Sequence, residues 1–152
     1  MQLPGSYVKL SDTFYFGIHP QIVKPLGIPR IDHYISLVES HEVTEPTTLE
    51  YHVFPIKDRG TPTMRNLEKI VEFILSLEGV VYLFCKGGHG RSGTIASALY
   101  GKMNHLYGKD AMAHINNEWH TQRDMSRIRP KIIRLGSPQT AIQKRTVLKY
   151  LG

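Results

Sequence analysis

Residues 82–94, YLFCKGGHGRSGT, constrain this chain more than any other stretch. An apolar run, VVYLF at 80–84, leads into them, and a helical pattern leaves them. A continuous apolar run of that length suits a central strand buried on both faces. The glycines then turn the chain sharply. A strand, a glycine turn and a helix in that order bring backbone N–H groups together at a helix N-terminus, which makes an anion site. They also commit the fold to a buried strand feeding a helix.

The rest of the chain fits around that unit. Segments 13–18 (TFYFGI), 31–38 (IDHYISLV) and 49–56 (LEYHVFPI) read as strands, rich in β-branched and aromatic residues between Pro and Gly breaks. Segment 61–79 has the grammar of a helix. Thr61 caps it, Pro62 occupies the first turn, Met64, Leu67, Ile70, Val71, Ile74 and Leu75 form its stripe, and Gly79 ends it. After the glycine turn, Ile95, Ala98, Leu99, Met103 and Leu106 recur at helical spacing until Gly108. Asp110 caps a third helix, a basic segment follows, and Ser137 and Pro138 open a fourth helix. Segment 39–50 (ESHEVTEPTTLE) reads as a polar loop within one domain spanning residues 1–152. The fold class expected is α/β, a central, mostly parallel (mixed) sheet flanked by helices.

Three chemistries use a glycine turn of this kind. A Walker loop needs Lys followed by Ser or Thr after its last glycine, and Arg91 stands there with the wrong glycine spacing. The dinucleotide fingerprint is met in letter by Gly88, Gly90 and Gly93. It also needs a second strand ending in an acid about 20 residues on, and Asp110 lies in a helix start instead. The third chemistry uses every unusual residue. Cys85, the only cysteine, stands five residues before Arg91, and Ser92 follows. A buried cysteine at a strand end is also a common core residue. Arg91 and the glycines turn the reading toward a nucleophile.

C-x5-R-S resembles the signature loop of the cysteine-based protein tyrosine phosphatases, in particular the small dual-specificity type. The resemblance implies that the amides of Lys86, Gly87, Gly88, His89 and Gly90, with Arg91, hold the phosphate oxygens above the Cys85 sulfur. A free thiol ionises near pH 8.5, so the loop must favour the anion. A guanidinium matches two phosphate oxygens in a way that an ammonium cannot. Ser92 can donate a hydrogen bond to the sulfur when the phosphoenzyme breaks down. The transition state is loose, so positioning and charge stabilisation carry most of the catalysis.

Two more stretches share the resemblance. FPIKDRGTP at 54–62 is similar to the family's acid loop, with Asp58 as the proton donor, 27 residues ahead of Cys85. A free aspartate ionises near pH 3.9, and a bound phosphate dianion would help keep it protonated. Asp-Arg-Gly is equally an ordinary exposed turn. SPQTAIQKR at 137–145 resembles the family's glutamine loop, with Gln139 rather than Gln143 placing the hydrolytic water. The alternative there is a plain helix start with solvent-facing glutamines. The chain departs from the family pattern at Phe84, where a histidine is usual, and at Gly87, where alanine is frequent. It also has no segment like the tyrosine-clamping loop of the larger members.

The remaining features are secondary. Lys86 reads as solvent-facing, and His89 is left open between a pocket and a surface role. His52, His114 and His120 read as structural or surface residues, and no metal-ligand spacing occurs. Arg123, Arg127, Arg129, Lys131 and Arg134 read as a solvated basic face, with guidance of an acidic substrate or RNA as the alternative. Trp119 packs a helix into the core. A formal charge of +6 favours anionic partners. No apolar stretch is long enough to span a bilayer, the first residues carry no secretory pattern, and a lone thiol suits a reducing compartment. The expectation is a phosphatase of phosphorylated proteins that needs no cofactor or metal and makes no stable membrane insertion. It would act on phosphotyrosine, with phosphoserine and phosphothreonine, in the cytoplasm or nucleus. RNA 5′-phosphates, phosphoinositides, or an idle phosphopeptide-binding role are the alternatives.

Overall fold

The structure is a computed structural model and describes residues 5–20, 27–42 and 51–152. Five strands form one sheet: β1 (Tyr7–Ser11), β2 (Phe14–Ile18), β3 (His33–Ser36), β4 (Tyr51–Val53) and β5 (Val81–Cys85). Their order is β1-β2-β5-β3-β4. β1 runs antiparallel to β2, and every other pair is parallel, so the sheet is mixed and mostly parallel as expected. β5 lies at the centre with all five residues buried, which is why its sequence is continuously apolar. Cys85 ends it opposite Ile18 of β2, and Phe84 faces Ser36 of β3.

Side-chain alternation divides the sheet into two unlike faces. Val81, Leu83 and Cys85 join Val8, Phe16 and Ile35 in the main core, against the helices. Tyr82 and Phe84 point the other way, into a cluster with Tyr7, Tyr15, Tyr34 and Tyr51. The thiol therefore shares a face with the helix that follows it.

The helices are α1 (Met64–Ser76), α2 (Arg91–Asn104), α3 (Gly108–Gln122), α4 (Pro130–Leu135) and α5 (Ala141–Leu151), with a 3-10 turn at Met125–Arg127. α2 is the central one, buried at every residue from Arg91 to Leu99 and packed on the sheet and on α1, α3 and α5. α1 buries Leu67, Ile70, Val71 and Ile74, each contributing roughly 1.5–3 kcal/mol. Leu75 lies about 100° further round the helix and stays exposed. Trp119 of α3 is fully buried, as expected.

Several boundaries differ from the expectation. Thr63, not Thr61, caps α1, because its hydroxyl accepts the Asn66 N–H at 3.1 Å while Pro62 stays outside the helix. α1 ends at Ser76, ahead of Gly79. α2 ends at Asn104, with His105 taking the left-handed cap at φ 55°, so Met103 is exposed and Leu106 lies beyond the helix. Gly108 opens α3 rather than closing α2, and Asp110 sits in the first turn of α3 instead of capping it. α5 begins three residues after Pro138, capped by Thr140. β1, α4 and the 3-10 turn were not foreseen. The strand expected over 49–56 is confined, as β4, to Tyr51–Val53 among the described residues, and positions 43–50 of the polar loop, with 49 and 50 of that segment, lie outside them.

Candidate active site

The loop of residues 86–90 joins the C-terminal end of β5 to α2, where ligands bind in open parallel sheets. No side chain caps α2, so its first N–H groups are free to face an anion. Gly88 adopts φ 71°, and its α-carbon is pressed against the Gly17–Ile18 peptide at the end of β2, where a Cβ would collide. Only glycine meets both conditions.

Cys85 is 2% exposed, and its Sγ lies 3.3 Å from the Ser92 Oγ in the first turn of α2. The guanidinium of Arg91 is sunk in the site and held on three sides. Nη1 donates to Glu42 Oε2 at 2.6 Å and to the Ile56 carbonyl at 2.9 Å, and Nη2 donates to Glu42 Oε1 at 2.7 Å. Asp58, mostly exposed, brings Oδ1 to 3.4 Å from Nη2. Burial is the largest single influence and opposes the charge on Arg91, but the bond to Glu42 together with the charges of Cys85, Glu42 and Asp58 lifts its pKa above the ordinary arginine value. Burial likewise opposes the Glu42 carboxylate. The bonds from Arg91 and from the Glu39 N–H prevail and hold it below the usual glutamate value.

The loop that carries Asp58 is anchored just beyond it. The Thr140 hydroxyl donates to the Arg59 carbonyl at 3.1 Å, and Gln143 Nε2 donates to the Gly60 carbonyl at 3.1 Å. Gln143 is fully buried, and its Oε1 also accepts the N–H groups of Gln139 and Thr140. It is therefore a structural clamp, and the solvent-facing alternative fails for it. The Gln139 Oε1 lies close over the Gly90 backbone, beside the loop.

The back of the loop is braced as well. Ser137 Oγ donates to the His89 carbonyl at 2.6 Å. Arg123, the C-cap of α3, donates from Nη1 to the carbonyls of Gly87 and Gly88 at 3.2 and 3.1 Å, and from Nε to the carbonyl of Gly5 at 2.7 Å. This corrects the solvated-face reading of Arg123: the residue lies largely buried behind the loop, because its carbonyl acceptors turn away from the anion side. Arg127, Arg129, Lys131 and Arg134 are exposed as expected.

His89 turns inward. Its Nδ1 meets the Gly87 carbonyl at 3.2 Å, its ring packs on Trp119, and burial pushes its pKa below the usual histidine value. Lys86 is exposed, as expected. Phe84 occupies the place of the usual histidine, and the buried His19 packs edge-on against it at 4.7 Å. The imidazole beside this strand end comes from the end of β2.

Cys85, Arg91, Ser92, Asp58 and Gln139 are thus gathered around one loop. Sequence reasoning missed Glu42 and the bracing roles of Arg123 and Ser137. Glu42 is one of several acids in an aperiodic segment, and nothing local distinguishes it. The arrangement can hold a tetrahedral oxyanion against backbone amides and a fixed guanidinium, with a sulfur beneath it and a carboxyl beside it.

Comparison with known proteins agrees with the geometry. The model described as "PTP-SAK: Swiss Army Knife protein, DSP-PTPase phosphatase domain" matches residues 30–147. "Putative tyrosine phosphatase 067L" of Invertebrate iridescent virus 3 is 28% identical, over 94% of this chain and 64% of its own. The chain spans less than two thirds of the length of the curated relatives it matches. The crystal structure of Tk-PTP in the active form superposes with a TM-score of 0.72 at 21% identity, covering 95% of both chains. That of PTPMT1 in complex with PI(5)P gives 0.65 at 21% identity, covering 95% of this chain and 96% of that one. The fold, the C-x5-R loop at its centre and the match across residues 30–147 together make this chain a member of the dual-specificity type of the cysteine-based tyrosine phosphatases.

Proposed function

We propose that the protein hydrolyses phosphotyrosine, and with it phosphoserine and phosphothreonine, in protein substrates through a phosphocysteine intermediate. The observation that carries this reading is Asp58 Oδ1 held 3.4 Å from the guanidinium of Arg91, beside the loop that begins at Cys85. A proton donor, an oxyanion holder and a nucleophile then share one pocket. The Cys85 sulfur attacks phosphorus, and the bond to the leaving oxygen breaks as Asp58 gives that oxygen its proton. Arg91 and the amides of residues 86–91 carry the equatorial oxygens. Asp58 must leave Nη2 as phosphate arrives, which frees the carboxyl to face the leaving group. Water placed by Gln139 then attacks phosphorus, Asp58 takes its proton, and the sulfur departs toward the Ser92 hydroxyl.

The test is hydrolysis of an aryl phosphate and of phosphotyrosyl and phosphothreonyl peptides, with chelator present. The wild type turns these over, and Cys85→Ser does not while still binding phosphate. Retained activity in Cys85→Ser would sink the mechanism.

A second reading has its own support. Lys57, Arg59 and Lys86 are exposed, and none pairs with a carboxylate among the described residues. Such a rim suits a polyanionic substrate, an inositol phospholipid or a 5′-phosphorylated RNA. Turnover of either with higher kcat/KM than the peptides, falling steeply with added salt, would favour it.

A further inference from the structure

The segment that carries Asp58 has a second side. Residues 53–57 run up to Asp58, residues 61–63 run from it into α1, and a groove of about 460 Å³ lies between these two limbs and α1. That volume is in the usual range for a ligand site. Its floor is apolar. Ile56 and Ile70 supply it from the core, with Val53 and Pro62 beside them, and Val53 stays 54% exposed although it belongs to a strand. Ile56 also ties the groove to the phosphate site, because its carbonyl accepts Arg91 Nη1 at 2.9 Å.

The charges at the groove have one sign. Lys57 and Lys69 line it, both exposed, and no carboxylate does. Neither lysine pairs with a carboxylate among the described residues. Glu68 and Glu72, the acids near Lys69 on α1, are both drawn to Lys102 instead. Two unpaired cations above an apolar floor are complementary to an apolar side chain with carboxylates next to it. Asn66 adds an exposed amide that can both donate and accept. Such a group suits a peptide main chain, whereas a lipid hydrocarbon chain would leave it without a partner. Pro55 lines the groove too and has no N–H, so a strand laid along the edge of β4 would lack a donor there. This favours an inserted side chain over an added strand.

We propose that this groove is a substrate-docking site, which takes an apolar side chain flanked by acidic residues from the phosphoprotein segment next to the phosphoresidue. This rests on the reading of the protein as a phosphatase of protein substrates. On that reading Asp58 gives its proton to the oxygen of the phosphoresidue, so the neighbours of that residue pass the limbs that carry Asp58. The groove lies against those limbs. It reads sequence around the phosphate, while the C-x5-R loop reads the phosphate alone.

The experiment measures, by fluorescence anisotropy, the affinity of Cys85→Ser protein for three labelled phosphotyrosyl peptides. Their flanks, on both sides, are Ala and Ser, Leu and Asp, or Leu and Lys. The Leu–Asp peptide should bind about tenfold tighter than the Ala–Ser peptide, a difference of about 1.4 kcal/mol, and the Leu–Lys peptide no tighter. Lys69→Glu should remove that advantage, and Val53→Ser, which takes away apolar surface and no charge, should reduce it. With Cys85 intact, neither substitution should change kcat/KM for nitrophenyl phosphate, which has no flanks, while both lower it for the Leu–Asp peptide. Equal affinity for the Leu–Asp and Ala–Ser peptides, or an advantage that neither substitution lowers, would overturn the proposal. If the advantage depends on Lys69 but the protein with Cys85 intact hydrolyses no peptide, the groove stands as a phosphopeptide-docking site and the hydrolytic reading falls. Binding to phosphatidylcholine vesicles containing a phosphatidylinositol phosphate, lost in Lys69→Glu while peptide affinity is unchanged, would give the groove to a lipid and overturn the proposal. Should Lys69→Glu fail to fold, Val53→Ser on β4 carries the same test.

Discussion

Glu42 and Arg91 meet fork to fork, two carboxylate oxygens against two guanidinium nitrogens at 2.6 and 2.7 Å, with side chains 7% and 2% exposed. Removing one partner of a buried pair leaves a charge without compensation, which costs about 3–5 kcal/mol. Glu42→Ala should lose stability at the low end of that range, since Asp58 lies close enough to take part of the role. Equilibrium urea unfolding measures it, and a loss below about 1 kcal/mol would show that the pair is effectively solvated. The folded Glu42 carboxyl ionises below the ordinary value of 4.5, so its stabilisation is complete above that pH and is lost as pH falls through the depressed value.

Asp58 is mostly exposed and touches the site only through Arg91. Its replacement should leave the fold intact. Asp58→Asn should lower kcat by about a hundredfold or more with KM little changed, as expected when a general acid is removed. The loss should be larger for a phenyl phosphate than for a nitrophenyl phosphate, whose leaving group scarcely needs a proton. Equal losses on the two substrates would remove Asp58 from the acid role.

The buried His89 gives a pH signature of its own. Its pKa is lowered from 6.5, so below that value the unfolded chain takes up a proton that the folded chain resists. Stability should rise with pH up to about 6.5 and level off above it, as proton linkage requires. Thermal unfolding across this range in the wild type and in His89→Leu checks the sign: the variant should lose less stability on acidification. A steeper acid loss in the variant would contradict it.

Gln139 lies just ahead of α5 and Gln143 in its first turn, and the two should separate cleanly. Gln143→Ala removes the capping box and the bond to Gly60, and should cost about 1–2 kcal/mol of stability. Gln139→Ala should unfold like the wild type and accumulate phosphoenzyme, seen as a burst of product followed by slow turnover. A destabilised Gln139→Ala without a burst would reverse the two roles.

What the sequence showed and what it hid follow from how far each signal travels. The central strand, the glycine turn and α2 are contiguous, so their periodicity and the C-x5-R spacing were readable together. α1 was readable from its stripe, with its cap misplaced by two residues because two threonines flank Pro62 and only packing chooses between them. β1 escaped because YVKLS is short and half polar, as an edge strand can be. Glu42 and Arg123 were hidden for a different reason. Each reaches the site across more than 30 positions, and an acid in a polar loop or an arginine in a basic run carries no local mark of being buried. His19 packs on Phe84 from the end of β2, a neighbour that only the parallel register of β2 and β5 could reveal.

The carbonyls of Arg59 and Gly60 are tied to Thr140 and Gln143, one residue past Asp58. Asp58 thus stands between two fixed points, the Ile56 carbonyl bound by Arg91 and the Arg59 carbonyl bound by Thr140. A segment pinned this closely on either side has little chain to order. On the proposed mechanism turnover should therefore follow the chemistry at phosphorus, and a thicker solvent should hardly slow it.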